Sequence, residues 1–501
     1  MMPVEWTPPN AECAPPKASE PAIHLAARTG DHSAIKGLAA SNSDLNEGFD
    51  VSLDPDTPLE PLSPLEVAAG SGFGASVETL CLLVELGATL DADGIAWHTC
   101  YGLGWNYPPG GDSARLAFAL EHGANPRLGE DDNLSILAAA ASTGDPERVR
   151  LLLAHGASVN PTWSRARADE RHRKLVEKLK SLRKVRPEPA ELGSDSDGWL
   201  SQAPTGPNAN EIPLFAGTES NNAEVVRALL GAGADVSARD AEMRTALFYC
   251  RSTEVAKLLT ERGCDVQAQD EFEWTALDHA ASQGNLEQVR ALIAVGCDAA
   301  GSHDRGYTTF MMALRSNQNF EILDELVRAG ADPAAITELG WSSLHAAAQS
   351  VGYKSASEAH LLCDYLQRYG VKIDLQDRFG HTPLVFAVRE HNLGMASALL
   401  HRGADPNVRT QACRDGSCAI HGRPLVFAAV TQPEMLALLI DTGAQTNVYW
   451  DESGATALEY ARQMLDEYAA SKDSYSAKVR QALAQSIRIL ELAGDVKRRS
   501  E

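Results

Sequence analysis

Past residue 382 the apolar side chains fall into two short clusters. Leu384, Phe386, Ala387 and Val388 form the first, Met395, Ala398, Leu399 and Leu400 the second, and the polar run from Arg389 to Asn392 separates them. Each cluster covers one side of a helix, so the stretch predicts two short helices joined by a tight turn. Thr382 stands where its hydroxyl can cap the first helix, and Pro383 follows at the first helical position, where a missing N–H costs nothing. Asn392 is the expected end of that helix, because Asn tolerates the left-handed conformation of a tight turn. Gly30, Gly72, Gly144, Asn221, Gly284 and Asn317 stand at the corresponding points of six other stretches. Gly403 is the expected cap of the second helix, ahead of an extended segment from Ala404 to Val408.

One such pair cannot bury its apolar surface alone, whereas a stack of them can. The pattern does recur. Glycines closing the second helix stand at Gly87, Gly123, Gly156, Gly233, Gly263, Gly296, Gly330, Gly370, Gly403 and Gly443, and most steps between them lie near the 33 residues of a helix-pair repeat. The long step from Gly156 to Gly233 holds an insertion as well as a repeat. The spacing divides the chain into a disordered segment (1–20), four repeats (21–161), an inserted basic helix with a flexible linker (162–210), seven further repeats (211–450) and a capping repeat with a terminal helix (451–501). In the third repeat, from Tyr101 to Leu128, a first helix is not recognisable among Gly102, Gly104, Pro108, Pro109, Gly110 and Gly111, although Ala114 to Pro126 makes a good second half.

The stretch from Asp377 to Arg409, DRFGHTPLVFAVREHNLGMASALLHRGADPNVR, resembles the ankyrin repeat, whose pattern runs Asp-x-x-Gly-x-Thr-Pro-Leu-His-x-Ala-Ala, a Gly turn, an apolar helix and Gly-Ala-Asp. The resemblance covers most of the chain and is strong because it recurs. It implies an all-α solenoid of about twelve helix–turn–helix repeats with β-hairpin-like loops, and a protein that binds other proteins as a scaffold or adaptor. Two alternatives remain open: an inhibitor or immunity-type protein that occludes one enzyme, and an enzyme whose site lies in a non-repeat interruption.

Composition narrows these readings. Hydrophobic residues make up 44% of the chain and aromatic residues only 6%, which fits Ala- and Leu-rich helix packing. No apolar run approaches the ~18 residues that span a bilayer, and residues 1–20 lack the basic-then-apolar order of a secretory signal. The nine cysteines lie mostly inside repeats, with Cys264 and Cys297 where Ala follows the turn glycine, so small core residues in a reducing cytoplasm are expected. Delivery into a host cell by a signal-independent route stays open. A net charge of -24 argues against wrapping nucleic acid, which needs clustered cations. The exception is Trp163 to Arg186, with ten Lys and Arg against three carboxylates and with Leu175, Leu179 and Leu182 at helical spacing. Such a helix suits an acidic partner or an anionic surface, or it lies against the acidic repeats themselves.

Candidate chemistry is sparse. Cys413, Cys418 and His421 make a C-x4-C-x2-H set, but zinc wants four ligands and no fourth is evident, so a plain polar loop is expected and no metal. No nucleophile motif or phosphate loop is present, hence no catalytic residue and no cofactor are expected. His24 and His345 occupy a position that elsewhere holds Glu66, Asp278 and Val385, which points to hydrogen bonding around the turn rather than catalysis. The family resemblance implies that the residue before each capping Thr is exposed and contacts partners. Here that position holds Trp274, Tyr307, Trp341 and His381, with Phe272 and Phe379 beside it and Arg315, Gln349 and Arg389 on the adjoining helices. The competing reading is that each ring packs on the next hairpin. A monomer with protein partners is expected.

Overall fold

The computed structural model describes residues 21–41, 43–46, 48, 63–70, 76–101, 113–129, 135–162, 207–303, 306–316, 319–350, 356–408, 424–449, 455–469 and 474–500. The N-terminal segment 1–20, the insertion 163–206, Gly72, Asn317, and the set Cys413, Cys418 and His421 lie outside them.

Short helices alternate with turns throughout, and the chain divides after Glu271 into two compact halves. The N-terminal half pairs Ala22–Thr29 with His32–Ala40, Pro64–Gly70 with Val77–Glu85, Ala92–Tyr101 with Ser113–Glu121, Ile136–Ser142 with Pro146–Ala154, and Pro213–Glu219 with Ala223–Gly231. Its sixth pair joins a 3-10 turn, Ala246–Tyr249, to Thr253–Glu261. The C-terminal half pairs Ala276–Gln283 with Leu286–Ala294, Thr309–Ser316 with Phe320–Arg328, Ser343–Ala348 with Ala356–Arg368, Pro383–Arg389 with Leu393–His401, Leu425–Ala428 with Pro433–Asp441, and Ala457–Ala469 with Ser474–Ser500. First helices pack on first helices of neighbouring repeats, as Ala276–Gln283 does on Thr309–Ser316 and that helix on Ser343–Ala348. They are buried nearly all round, so they are rich in Ala and Leu; Ile136 to Ala141 are all buried. Second helices bury one side only, such as Ile322, Leu323 and Leu326.

The turn between paired helices corrects one sequence expectation. Gly30, Gly144, Asn221 and Gly284 do take the left-handed conformation, but in the reference repeat His391 does so, at φ 57°, and not Asn392. Asn392 instead caps the second helix, its side chain accepting from the Met395 N–H at 3.0 Å. Asp31, Asp145, Asn222 and Asn285 cap their helices in the same way, each just after the left-handed residue.

The third repeat is corrected too. Its first helix is Ala92–Tyr101, which lies ahead of the Gly- and Pro-rich run and not within it, with Ile95, Ala96 and Cys100 buried. The hairpin-like loops are turns with isolated bridges rather than ladders, as in the antiparallel bridge between Ser302 and Thr308.

Neighbouring repeats are tied together by side chains that reach into the next turn. Asn160 accepts from the Asp235 N–H at 2.8 Å and donates to the Gly233 carbonyl at 2.9 Å. Asn407 does the same to Gln445 and Gly443, at 2.8 and 3.2 Å. The Asn222 and Asn392 amides donate to Gly144 and Ser350, the open carbonyl ends of the preceding first helices. In the last helix Leu483 and Leu490 are buried while Lys478, Arg488 and Glu491 face water.

Candidate functional site

The hairpins between repeats share one geometry in which five residues precede the capping Thr or Ser. The first position donates its N–H to the carbonyl of the fifth, and its own carbonyl accepts from the fourth: Asp377 bonds His381 and Gly380, Thr337 bonds Trp341 and Gly340, and His303 bonds Tyr307 and Gly306. The fourth position has positive φ and is Gly306, Gly340 or Gly380, but Met243 and Glu273 stand there in two hairpins, each at φ 64°. Where the first residue is Asp, its carboxylate fastens the loop, as when Asp377 accepts from the Phe379 and His381 N–H groups, both at 2.8 Å.

This frame sets the expected row. Tyr307 lies edge-on to Trp341 at 5.7 Å, and Trp341 lies edge-on to Phe386 at 4.9 Å. The Trp341 indole donates to Asp377 Oδ2 at 3.1 Å, and His381 Nδ1 lies 3.5 Å from the same oxygen. Trp274 packs on His279 at 5.4 Å. The fifth-position residues are therefore half-buried rather than exposed, and His381 is only 5% exposed. Aromatic rings and one shared carboxylate hold them. The exposed side chains are the third-position neighbours, Phe272 at 64% and Phe379 at 36%, with Ile336 just before the next hairpin also exposed.

Behind the row Phe386 links tips to helices: Arg389 stacks over its ring at 4.6 Å and pairs with Glu390 at 3.0 Å. Arg315 is exposed, without an ion-pair partner among the described residues, and Gln349 is half-buried.

His345, at the fourth position of the Thr-Pro-Leu-His pattern, serves the turn. His345 Nδ1 accepts from the Ser342 N–H at 3.0 Å, and its Nε2 meets the His381 carbonyl at 3.1 Å. Burial pushes its pKa down to about 4. Glu66 and Asp278 close the same capping box, receiving the Ser63 and Thr275 N–H groups at 2.6 and 2.7 Å. Sequence reasoning had no role for the first-position Asp, although its recurrence at Asp240, Asp270 and Asp377 was a readable signal.

A cavity of about 170 Å³ lies where the insertion leaves and rejoins the N-terminal half, and Ser135, Asn160, Thr162, Glu211, Asp235 and Arg239 are among the residues that line it. No group of three or more metal-ligating side chains occurs among the described residues, and no described helix is long and apolar enough to cross a membrane.

Comparison with known proteins matches residues 214–302, 248–337 and 310–410 to the family model "Ankyrin repeats (3 copies)" and 132–163 to "Ankyrin repeat". Protein glp-1 of Caenorhabditis elegans is 28% identical over 187 residues, 36% of this chain and 14% of that protein. ADP-ribosylation factor GTPase-activating protein AGD2 of Arabidopsis thaliana is 30% identical over 102 residues, 20% of this chain and 12% of that protein. The chain thus spans under a sixth of the length of either relative. The crystal structure of the human ASB11 ankyrin repeat domain is similar over 48% of this chain and 98% of that one, at 23% identity and a TM-score of 0.35. With the matched segments falling on stacked helix pairs, capping boxes and Asn-tied turns, the chain belongs to the ankyrin-repeat proteins.

Proposed function

We propose that this protein is a scaffold or adaptor that binds partner proteins through the hairpin tips of its C-terminal half and the adjoining first-helix surface. Ankyrin repeats are in general protein-interaction modules, and the observation that carries the finer reading is the exposure of Phe272 and Phe379 on tips whose backbones are hydrogen-bonded in place. A rigid exposed aromatic loses little entropy on binding and buries a large area, which is what a hot spot needs. Trp274, Tyr307, Trp341 and His381 form the floor beneath, and Arg315, Gln349 and Arg389 supply polar contacts beside it. No catalytic step and no cofactor enters this reading.

Cross-linking with mass spectrometry in native lysate identifies the partners, and purified partner then tests the surface. Phe272→Ala and Phe379→Ala are expected to weaken binding by about 2 kcal/mol at a hot spot while leaving thermal stability unchanged. Trp341→Ala loses stability as well, because the indole is bonded to Asp377. Unchanged affinity in both Phe variants would move the binding surface elsewhere, and recovery of one enzyme alone would favour an occluding inhibitor.

A further inference from the structure

One hairpin of the C-terminal half departs from the others at its first position. Asp240, Asp270 and Asp377 occupy that place elsewhere, and Thr337 in another, where its hydroxyl accepts the Trp341 N–H at 3.0 Å. Here the residue is His303. A charged imidazole has no acceptor to fasten its own loop. Instead its ring turns toward the preceding repeat, where Nε2 lies 2.8 Å from Asp278 Oδ2, the His side chain 8% and the carboxylate 0% accessible. The same Oδ2 receives the Thr275 N–H at 2.7 Å and the Thr275 hydroxyl at 2.6 Å, and Thr309 also faces this carboxylate. The Glu273 charge acts on the ring as well. The charged and titratable groups around His303 are thus Asp278 and Glu273; Asp304 and Arg305, its neighbours in sequence, lie outside the described residues.

The ring lies in the field of two carboxylates, one of them buried and 2.8 Å from Nε2. Only the imidazolium sets a positive charge against them. Thr275 follows Trp274 directly, and the His303 N–H holds the Tyr307 carbonyl at 2.8 Å, so the pair joins the two hairpins that carry those aromatics. We propose that His303 is a protonation-controlled staple between these hairpins, holding the Trp274 and Tyr307 part of the recognition row rigid while charged and loosening it when the proton leaves.

The direction of the response follows from the surroundings. Burial disfavours the charged ring, but the bond to Asp278 and its charge outweigh burial, so the pKa is raised above 6.5. Burial likewise disfavours the Asp278 carboxylate, yet His303 and the two threonines hold its pKa below the usual range. A raised His pKa contributes stability that is fully present below the unfolded value and is lost as pH rises through the folded one. The staple is therefore closed at mildly acidic pH, below 6.5, and opens as pH rises through the raised folded value of His303.

That opening matters for binding rests on the tip row being the recognition surface, whereas the staple itself is testable without a partner. Amide hydrogen exchange on the full chain, corrected for intrinsic rates, is followed against pH in peptides spanning 272–278 and 302–308, with the hairpin fastened by Asp240, which accepts from the Glu242 and Arg244 N–H groups, as internal control. Opening of the first two is expected to rise about tenfold for each pH unit by which the fold raises the proton affinity of His303, with the control flat. His303→Gln should show the loosened level at every pH. Equal pH profiles in wild type and variant, or equal opening of the control hairpin, overturn the staple. Should the variant fail to fold, the imidazole titration of His303 in the wild-type chain decides: a midpoint at or below 6.5 overturns it, and one above supports it. A pH-dependent staple together with unchanged partner affinity in the Phe variants would reject the recognition surface and leave the staple standing.

Discussion

Thr275 and Thr382 stand at the same place in their repeats and do different work. Thr275 accepts from the Asp278 N–H at 3.3 Å and returns its hydroxyl to that carboxylate, while Val385 offers Thr382 nothing and its Oγ1 finds no hydrogen-bond partner among the described residues. Thr275→Ala is expected to cost about 1–2 kcal/mol and Thr382→Ala much less, read from chemical denaturation of the two variants. His345 sets a pH limit of the opposite sense to His303. Its folded pKa of about 4 lies below its ordinary 6.5, so the folded chain resists a proton that the unfolded chain takes up readily. Stability is then lost as pH falls below 6.5 toward 4, by on the order of 3 kcal/mol. A scan of unfolding free energy between pH 7 and pH 4 should show this decline, and His345→Gln should flatten it.

At the level of the element, the hairpin is the unit that sequence rules describe least well. Its fourth position needs positive φ, which Gly340 supplies at 85°; a Cβ there would lie 3.0 Å from the Asp377 Cα. Met243 accepts the same backbone with an exposed side chain. Met243→Gly is therefore expected to raise stability by about 1 kcal/mol, and Gly340→Ala to lower it by about 2 kcal/mol or more, both measured by thermal unfolding. Helices adapt more easily. The sixth repeat has lost one turn, leaving only Ala246–Tyr249, yet Leu247 and Phe248 remain buried and the next helix keeps its place through Val255 and Leu259. Surface ion pairs such as Arg150 with Glu224 and Arg227 with Glu254 step from one second helix to the next, but their exposure leaves them little weight.

For the molecule as a whole, the insertion is the largest departure from regular stacking. The repeats on either side of it are neighbours without its help: Asn160 is bonded to Gly233 and Asp235, the Asn222 amide to Gly144, and Arg150 to Glu224 at 3.0 Å. Deleting residues 163–198, which leaves the remaining insertion residues as linker, is expected to preserve helicity and the main thermal transition. Circular dichroism and calorimetry of the deletion check this, and a cooperative loss of helicity would mean that the insertion belongs to the core. Partner binding by the same variant asks separately whether the basic stretch contributes to recognition.

The chain by itself determined the repeat. Two apolar clusters, a turn residue and a closing glycine are local features, and local features fix helices whose first turn begins at Pro383 or Pro213 and whose second ends before Gly403 or Gly233. The resemblance carried by Asp377 to Arg409 fixed how such pairs stack. What a helix end does depends on residues a repeat away, and there the sequence was silent. The local order, a left-handed residue followed by a capping Asp or Asn, sets His391 level with Gly144 and Gly284, but only the fold shows the Asn392 amide reaching a repeat away to Ser350. Nothing local hides His381 and bares Phe379, since that difference comes from Trp341 and His381 converging on the Asp377 carboxylate from two hairpins. Nor does spacing alone pair His303 with Asp278. Exposure and proton affinity are set by which groups tertiary packing brings within hydrogen-bond range, and so only the folded repeats decided them.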